Sequence, residues 1–137
     1  MTHSIPDSMG IAIKTPYGYV VSPGDFKLDH VDGVPTKEED ENYKLFDGKN
    51  TLLLMADSTN VENPGFSIPE RFVYDGLEEI IKNNQGRLII AAFATHVLRL
   101  IHIIMMCEKY GKKVIVEGRS IKNNVEILLQ ADLLHVG

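Results

Sequence analysis

Gly86-Arg87-Leu88-Ile89-Ile90-Ala91-Ala92-Phe93-Ala94-Thr95-His96, and further on Gly111-Lys112-Lys113-Val114-Ile115-Val116-Glu117-Gly118-Arg119-Ser120, decide how this chain is read. Each stretch opens on a glycine, runs through a short apolar block and ends on a polar turn. Leu88–Phe93 and Val114–Val116 have the length and composition of buried strands. Between them, His96 to Tyr110 has the apolar spacing of a helix that stops at Gly111, and a last helix is predicted from about Ile121 to Leu129. Upstream, Ser67 and Glu70 form an S-x-x-E capping box. They predict a helix through about Asn83, with Phe72, Val73, Leu77, Ile80 and Ile81 facing inward. Gly86 is its expected stop. Helix, strand, helix, strand, helix implies a parallel sheet with crossover helices, an α/β arrangement.

The first half has a different texture. Gly10-Ile11-Ala12-Ile13-Lys14 and Tyr19-Val20-Val21 flank Thr15-Pro16-Tyr17-Gly18, with proline and glycine where a tight turn wants them. This predicts a hairpin. His3 lies just before its first strand and Asp25 just after its second, so antiparallel pairing brings the two together. An imidazole and a carboxylate so placed suit a divalent ion. Residues 29–50 read as a polar connecting loop with one helical turn, and Glu38-Glu39-Asp40-Glu41 within it as a solvated loop or short helix. Leu52-Leu53-Leu54-Met55-Ala56 reads as a buried strand ending at Asp57. Asn60 to Gly65 is punctuation, and a domain boundary is placed at about residues 60–66.

Composition sets outer limits. The chain has 137 residues, 44% of them apolar, enough for an ordinary core. Its net charge of −5 does not advertise a nucleic-acid binder, although a cleft can be basic on an acidic protein. The single cysteine, Cys107, sits in an apolar run and reads as a small buried hydrophobe. One cysteine permits no intrachain disulfide, which fits a reducing cytoplasm, the expected compartment. No signal peptide is visible. The apolar stretch near 97–107 is interrupted by Arg99 and His102 and is too short to span a bilayer, so no membrane role is expected.

Both strand-to-helix junctions of the second half can gather anions, because parallel strands put helix N-termini on one edge of a sheet. Thr95 and Ser120 are candidate caps there. Arg99 and Arg119 offer forked cations that match phosphate. The bland alternative is two capped helices with surface arginines. Asp57, followed by Ser58 and Thr59, likewise fits a simple turn cap. His102, among isoleucines, reads as packed, and none of His96, His102 and His135 is assigned to metal.

The order of the motifs adds to this. His3-Ser4-Ile5-Pro6-Asp7-Ser8, Gly24-Asp25-Phe26-Lys27, Asp57-Ser58-Thr59-Asn60, Phe93 to Arg99 and Gly118-Arg119-Ser120 together resemble ribonuclease J. That family belongs to the β-CASP branch of the metallo-β-lactamase superfamily. The resemblance implies part of an αββα metallo-β-lactamase sandwich over 1–62, the C-terminal portion of its first segment. The N-terminal portion of a Rossmann-like, parallel-sheet β-CASP domain would follow over 63–137. It also implies an internal slice of a longer enzyme, since the family's HxHxDH motif should lie upstream of His3 and its later histidine motifs downstream of Gly137.

By that resemblance His3 binds one of two catalytic divalent ions, zinc by preference, and Asp25 bridges both. Asp57 is the motif A acid near the scissile phosphate, and Thr95, Arg99, Arg119 and Ser120 contact the RNA backbone. The implied activity is metal-dependent RNA phosphodiester hydrolysis, endonucleolytic or 5′-to-3′ exonucleolytic, in RNA maturation and decay, with a homo-oligomeric full-length parent. Two departures stand out: Ser22-Pro23 where the family often has His-Thr, and Leu98 where it often has His. Two rivals are a small-molecule hydrolase of metallo-β-lactamase type and a non-catalytic fragment that binds RNA or a partner. Carrying at most two of the family's ligands, the chain alone is expected to bind zinc weakly and cleave no RNA.

Overall fold

The computed structural model describes residues 1–135, and within it the chain forms two compact units. One comprises Met1–His3 with Asp7–Glu70, the other Ser4–Pro6 with Arg71 onward.

The first unit begins with the expected hairpin. Strand β1, Ile11–Thr15, pairs antiparallel with β2, Gly18–Gly24, and Thr15 faces Gly18 across the turn. Thr15 Oγ1 donates to the Gly18 carbonyl at 2.7 Å and accepts the Tyr17 amide at 3.2 Å, so the turn satisfies its own polar groups. Gly18 is obligatory for a second reason. Its φ is +145°, and a Cβ there would sit 2.6 Å from the Asn50 carbonyl. That carbonyl accepts the Tyr19 amide at 2.8 Å, which docks the chain returning from residue 50.

The returning chain forms β5, Thr51–Ala56, which lies parallel to β2 and completes a sheet of order β1-β2-β5. The register slips between Val21 and Gly24, where Pro23 has no amide to give the ladder. Strand β5 was expected to be buried, and it is not. Leu54 is 61% exposed, and Leu52, Leu53 and Met55 are exposed as well. As an edge strand, β5 has a neighbour on one side only, and among the described residues nothing covers either face of it.

Residues 29–50 hold more structure than a loop. Strands β3, His30–Val31, and β4, Val34–Pro35, form a miniature hairpin around Asp32 and Gly33, both with positive φ. Helix α1, Lys37–Tyr43, follows with Thr36 as its cap, and a 3₁₀ turn spans Lys44–Phe46. The acidic run is therefore helical and is not uniformly solvated. Glu39 is 1% exposed and its carboxylate accepts the Asp29 amide at 3.5 Å. Two links fasten the end of this unit. Lys27 pairs with Glu70 at 2.7 Å, and the His30 ring meets the Ser67 carbonyl at 2.9 Å.

The second unit is helical around two apolar clusters. Helix α2, Glu70–Asn83, starts two residues later than the Ser67 cap predicts, because the Ser67 segment turns aside to His30. Its inward face is Tyr74, Leu77 and Ile81, packed with Ile103 and Met106 of α3, Val97–Lys109. Phe72 and Ile80, expected inside, are exposed, since they lie off that i, i+3, i+7 row. Cys107 packs against the same cluster, and burial pushes its thiol pKa up. The second cluster joins Ile104 to Leu128 of α4, Arg119–Gln130, and to Leu134.

Helix ends are satisfied locally. Lys112 Nζ donates to the Asn84 carbonyl at 2.7 Å just past α2, while Gly111, at φ +61°, ends α3 as expected. The segments Leu88–Phe93 and Val114–Val116, predicted as strands, enter no β-ladder among the described residues. A parallel strand needs a hydrogen-bonded neighbour and covered faces. Ile89 and Ile115 are instead strongly exposed, while Ile90 packs on the first cluster. The chain is α/β all the same.

Candidate functional site

In β2 and β5 the residue pair Gly24 and Ala56 stands in register, and the strands run parallel. The next residue of each chain is an aspartate. Asp25 and Asp57 therefore leave the sheet at the same end, side by side, as a direct result of backbone pairing. The hairpin alone could not have supplied this, because Asp57 arrives on the third strand.

Asp57 is the better defined of the two. Its Oδ1 accepts the Thr59 amide at 2.9 Å and the Thr59 hydroxyl at 2.6 Å. These bonds hold its pKa below the ordinary 3.8, with smaller contributions from His3 and from the backbone amide of Phe26. The turn-cap reading of Asp57-Ser58-Thr59 is thus correct in geometry. The contribution of the Phe26 amide to the Asp57 pKa brings the residue after Asp25 into the neighbourhood of Asp57. The amino-terminal stretch reaches the same place, since the Lys27 amide donates to the Thr2 carbonyl at 2.8 Å, next to His3. Met1's ammonium, on the Ser8 carbonyl at 2.6 Å, closes that stretch into a loop. His3, Asp25 and Asp57 accordingly share one corner of the first unit.

Imidazole plus carboxylate is the donor chemistry of a zinc or manganese site, so the corner fits such an ion in kind. It does not complete one. Among the described residues no group of three His, Cys, Asp or Glu side chains is gathered closely enough to hold a metal.

The second unit carries the other candidates. Thr95 lies in the turn closed by the His96 amide on the Phe93 carbonyl at 3.0 Å, and the capping position of α3 falls to His96. Thr95 is therefore not the cap expected of it. Ser120 is not a cap either. It is the second residue of α4, because Gly118, at φ +95°, turns the chain one step earlier and occupies the capping position. Among the described residues, neither helix has a side-chain cap bond. One free amide of α3 is already engaged, as Leu98 N–H donates to the Ser4 carbonyl at 3.2 Å.

The two junctions are linked by a residue that sequence reasoning missed. Asn124 Nδ2, on α4, donates to the Ala94 carbonyl in the turn before α3 at 2.7 Å. Its only signal was an amide side chain on the apolar side of a helix beside Val125. Arg99 is half-buried and Arg119 is exposed at the start of α4. His102 is packed as expected, stacked on Tyr74 with ring centroids 3.9 Å apart.

The structure defines an α/β chain with two aspartates at parallel strand ends and arginines near the starts of two helices. Comparison with known proteins sharpens this class. The family described as "Ribonuclease J, beta-CASP domain" matches residues 85–137. Ribonuclease J of Thermus thermophilus is 41% identical over 141 aligned positions, which cover 99% of this chain and 24% of that protein. Ribonuclease J of Mycoplasma genitalium is 33% identical, again over 99% of this chain and 24% of the relative. Ribonuclease J2 of Bacillus subtilis is 32% identical over 91% of this chain and 22% of its own length. The chain is related to the ribonuclease J family along nearly its whole length, and it spans about a quarter of the relatives it matches.

Proposed function

We propose that this chain is part of a metal-dependent ribonuclease that hydrolyses RNA phosphodiester bonds. On this reading residues 1–62 belong to a metallo-β-lactamase sandwich and residues 63–137 to the β-CASP domain. The observation that carries it is the convergence of Asp25, Asp57 and His3 at the parallel ends of β2 and β5.

His3 and Asp25 are the residues that would hold divalent metal, with further ligands from sequence outside this chain. A bound ion would supply Lewis acidity and an activated water at the phosphate. Asp57, ionised at neutral pH and fixed by Thr59, would orient water or a phosphate oxygen through its carboxylate. Thr95, Arg99, Arg119 and Ser120 would steady the RNA backbone. Arg99 and Arg119 would act by charge, and Thr95 and Ser120 as hydroxyl donors on the flanks of the two junctions. The mode of cleavage, endonucleolytic or 5′-to-3′, belongs to the same proposal, as does oligomerisation of the longer protein. Among the described residues no helix is long and apolar enough to cross a membrane.

The incomplete donor set favours a second reading for the chain in isolation, a fragment that binds RNA without cleaving it. The test is Asp25→Ala in the longer protein, assayed for metal content and for cleavage of 5′-labelled RNA. Loss of both is expected. Full metal content with undiminished cleavage would refute the assignment of Asp25.

A further inference from the structure

Asp57 is half-exposed, and an aspartate there can turn freely, because its carboxylate torsion is broad and nearly two-fold. A carboxylate that must meet one phosphate cannot be left to rotate. We propose that Thr59 is the positioning residue of this corner: it binds Asp57 Oδ1 twice and so presents the other oxygen, Oδ2, toward the ends of β2 and β5. This inference rests on the ribonuclease reading above and deepens it.

Three features carry it. Both bonds from Thr59, the amide at 2.9 Å and the hydroxyl at 2.6 Å, end on the same oxygen. The shorter is within the range of a charge-assisted O–H···O⁻ bond, the strong kind. Thr59 itself is exposed and packs in neither apolar cluster, so its side chain has little else to hold. Its β-branch also limits rotation about χ1, which keeps the hydroxyl aimed where a serine would be freer. The Phe26 amide adds the smallest contribution to lowering the Asp57 pKa. The carboxylate is held by the turn after β5, and no covalent change is asked of Thr59.

The experiment uses the longer, metal-loaded protein and compares Thr59→Val, Thr59→Ser and Asp57→Asn in steady-state cleavage of 5′-labelled RNA. Thr59→Val keeps shape and amide but loses the hydroxyl bond. It should lower kcat roughly ten-fold or more, with KM and metal content unchanged, the pattern of a misplaced group. Thr59→Ser should recover most of kcat, and Asp57→Asn should lose more than Thr59→Val does. Wild-type kcat in Thr59→Val beside an inactive Asp57→Asn overturns the role of Thr59 and leaves the ribonuclease reading intact. Wild-type activity in Asp57→Asn overturns the assignment of Asp57, and this inference with it. A lowered melting temperature in Thr59→Val, with no recovery of kcat in Thr59→Ser, identifies Thr59 as a structural cap only and also overturns it.

Discussion

Among the described residues, Val21 is the buried apolar side chain of the first unit, whereas the second unit buries Ile81, Leu100, Ile103, Ile104, Met106, Leu128 and Leu134. The first unit is organised by backbone: strand register, a hairpin turn and the Asn50 carbonyl docked on Tyr19. The second is organised by side chains locking helices together. The difference tracks what each unit presents. A corner built from strand ends places Asp25 and Asp57 by register, with no packing needed at the residues themselves. Helix junctions such as 94–96 and 118–120 depend on what packs behind them, and there Asn124 and the Leu128 cluster do the holding.

The sharpest way to break this contrast is to remove matching apolar groups from each unit. Ile81→Ala should cost about 2–5 kcal/mol in urea or thermal unfolding, the range for a fully buried aliphatic side chain. Leu54→Ala, on the exposed strand β5, should cost about 0.5 kcal/mol or less. Equal losses would show that β5 is buried in solution. Next in size is the ion pair of Lys27 with Glu70, whose side chains are 31% and 33% exposed. Glu70→Gln should lower stability by about 1 kcal/mol, with salt weakening the effect. Asn124→Ala should cost a similar amount, about 1 kcal/mol for one half-buried hydrogen bond. Amide shifts of residues 94–97 should move in that variant, and their constancy would separate α4 from the α3 junction.

The smallest effect is electrostatic. Glu78 accepts Lys109 Nζ and the Tyr110 hydroxyl, both at 2.6 Å, and the lysine foremost holds its pKa below the ordinary 4.5. A carboxyl depressed by folding stabilises fully above its unfolded value and loses that contribution as pH falls through the folded one. Glu78→Gln should therefore flatten the stability profile of the second unit below pH 4.5 and change little in its shape at neutral pH. An unaltered acid limb would assign the slope to other groups.

What could be read from the sequence follows the same division. The hairpin was legible because Thr15-Pro16-Tyr17-Gly18 is a local signal, and α3 because an apolar period ends on Gly111. The second hairpin carried an equally local signal, Asp32-Gly33, hidden inside a polar segment. The exposure of β5 was not legible, since a run of leucines reports apolarity and cannot say whether a neighbour covers it. Caps failed for a related reason. Whether Thr95 or His96, Ser120 or Gly118 begins a helix depends on where the backbone turns, and Gly118 takes a φ open to few other residues. At the corner, His3 and Asp25 were legible as neighbours of one hairpin. The arrival of Asp57 beside them needed the parallel pairing of β2 with β5, a long-range choice that no local pattern specifies.

That corner is the central claim, and paramagnetic broadening addresses it most directly. Mn²⁺ is titrated into the ¹⁵N-labelled chain at neutral pH, and the amide signals that weaken first are recorded. Even weak binding at the parallel strand ends should broaden His3, Asp25, Phe26 and the Asp57–Thr59 turn before any other region. First broadening along Glu38–Glu41 of α1, or around Asp75, Glu78 and Glu79 of α2, with the corner untouched, would contradict it.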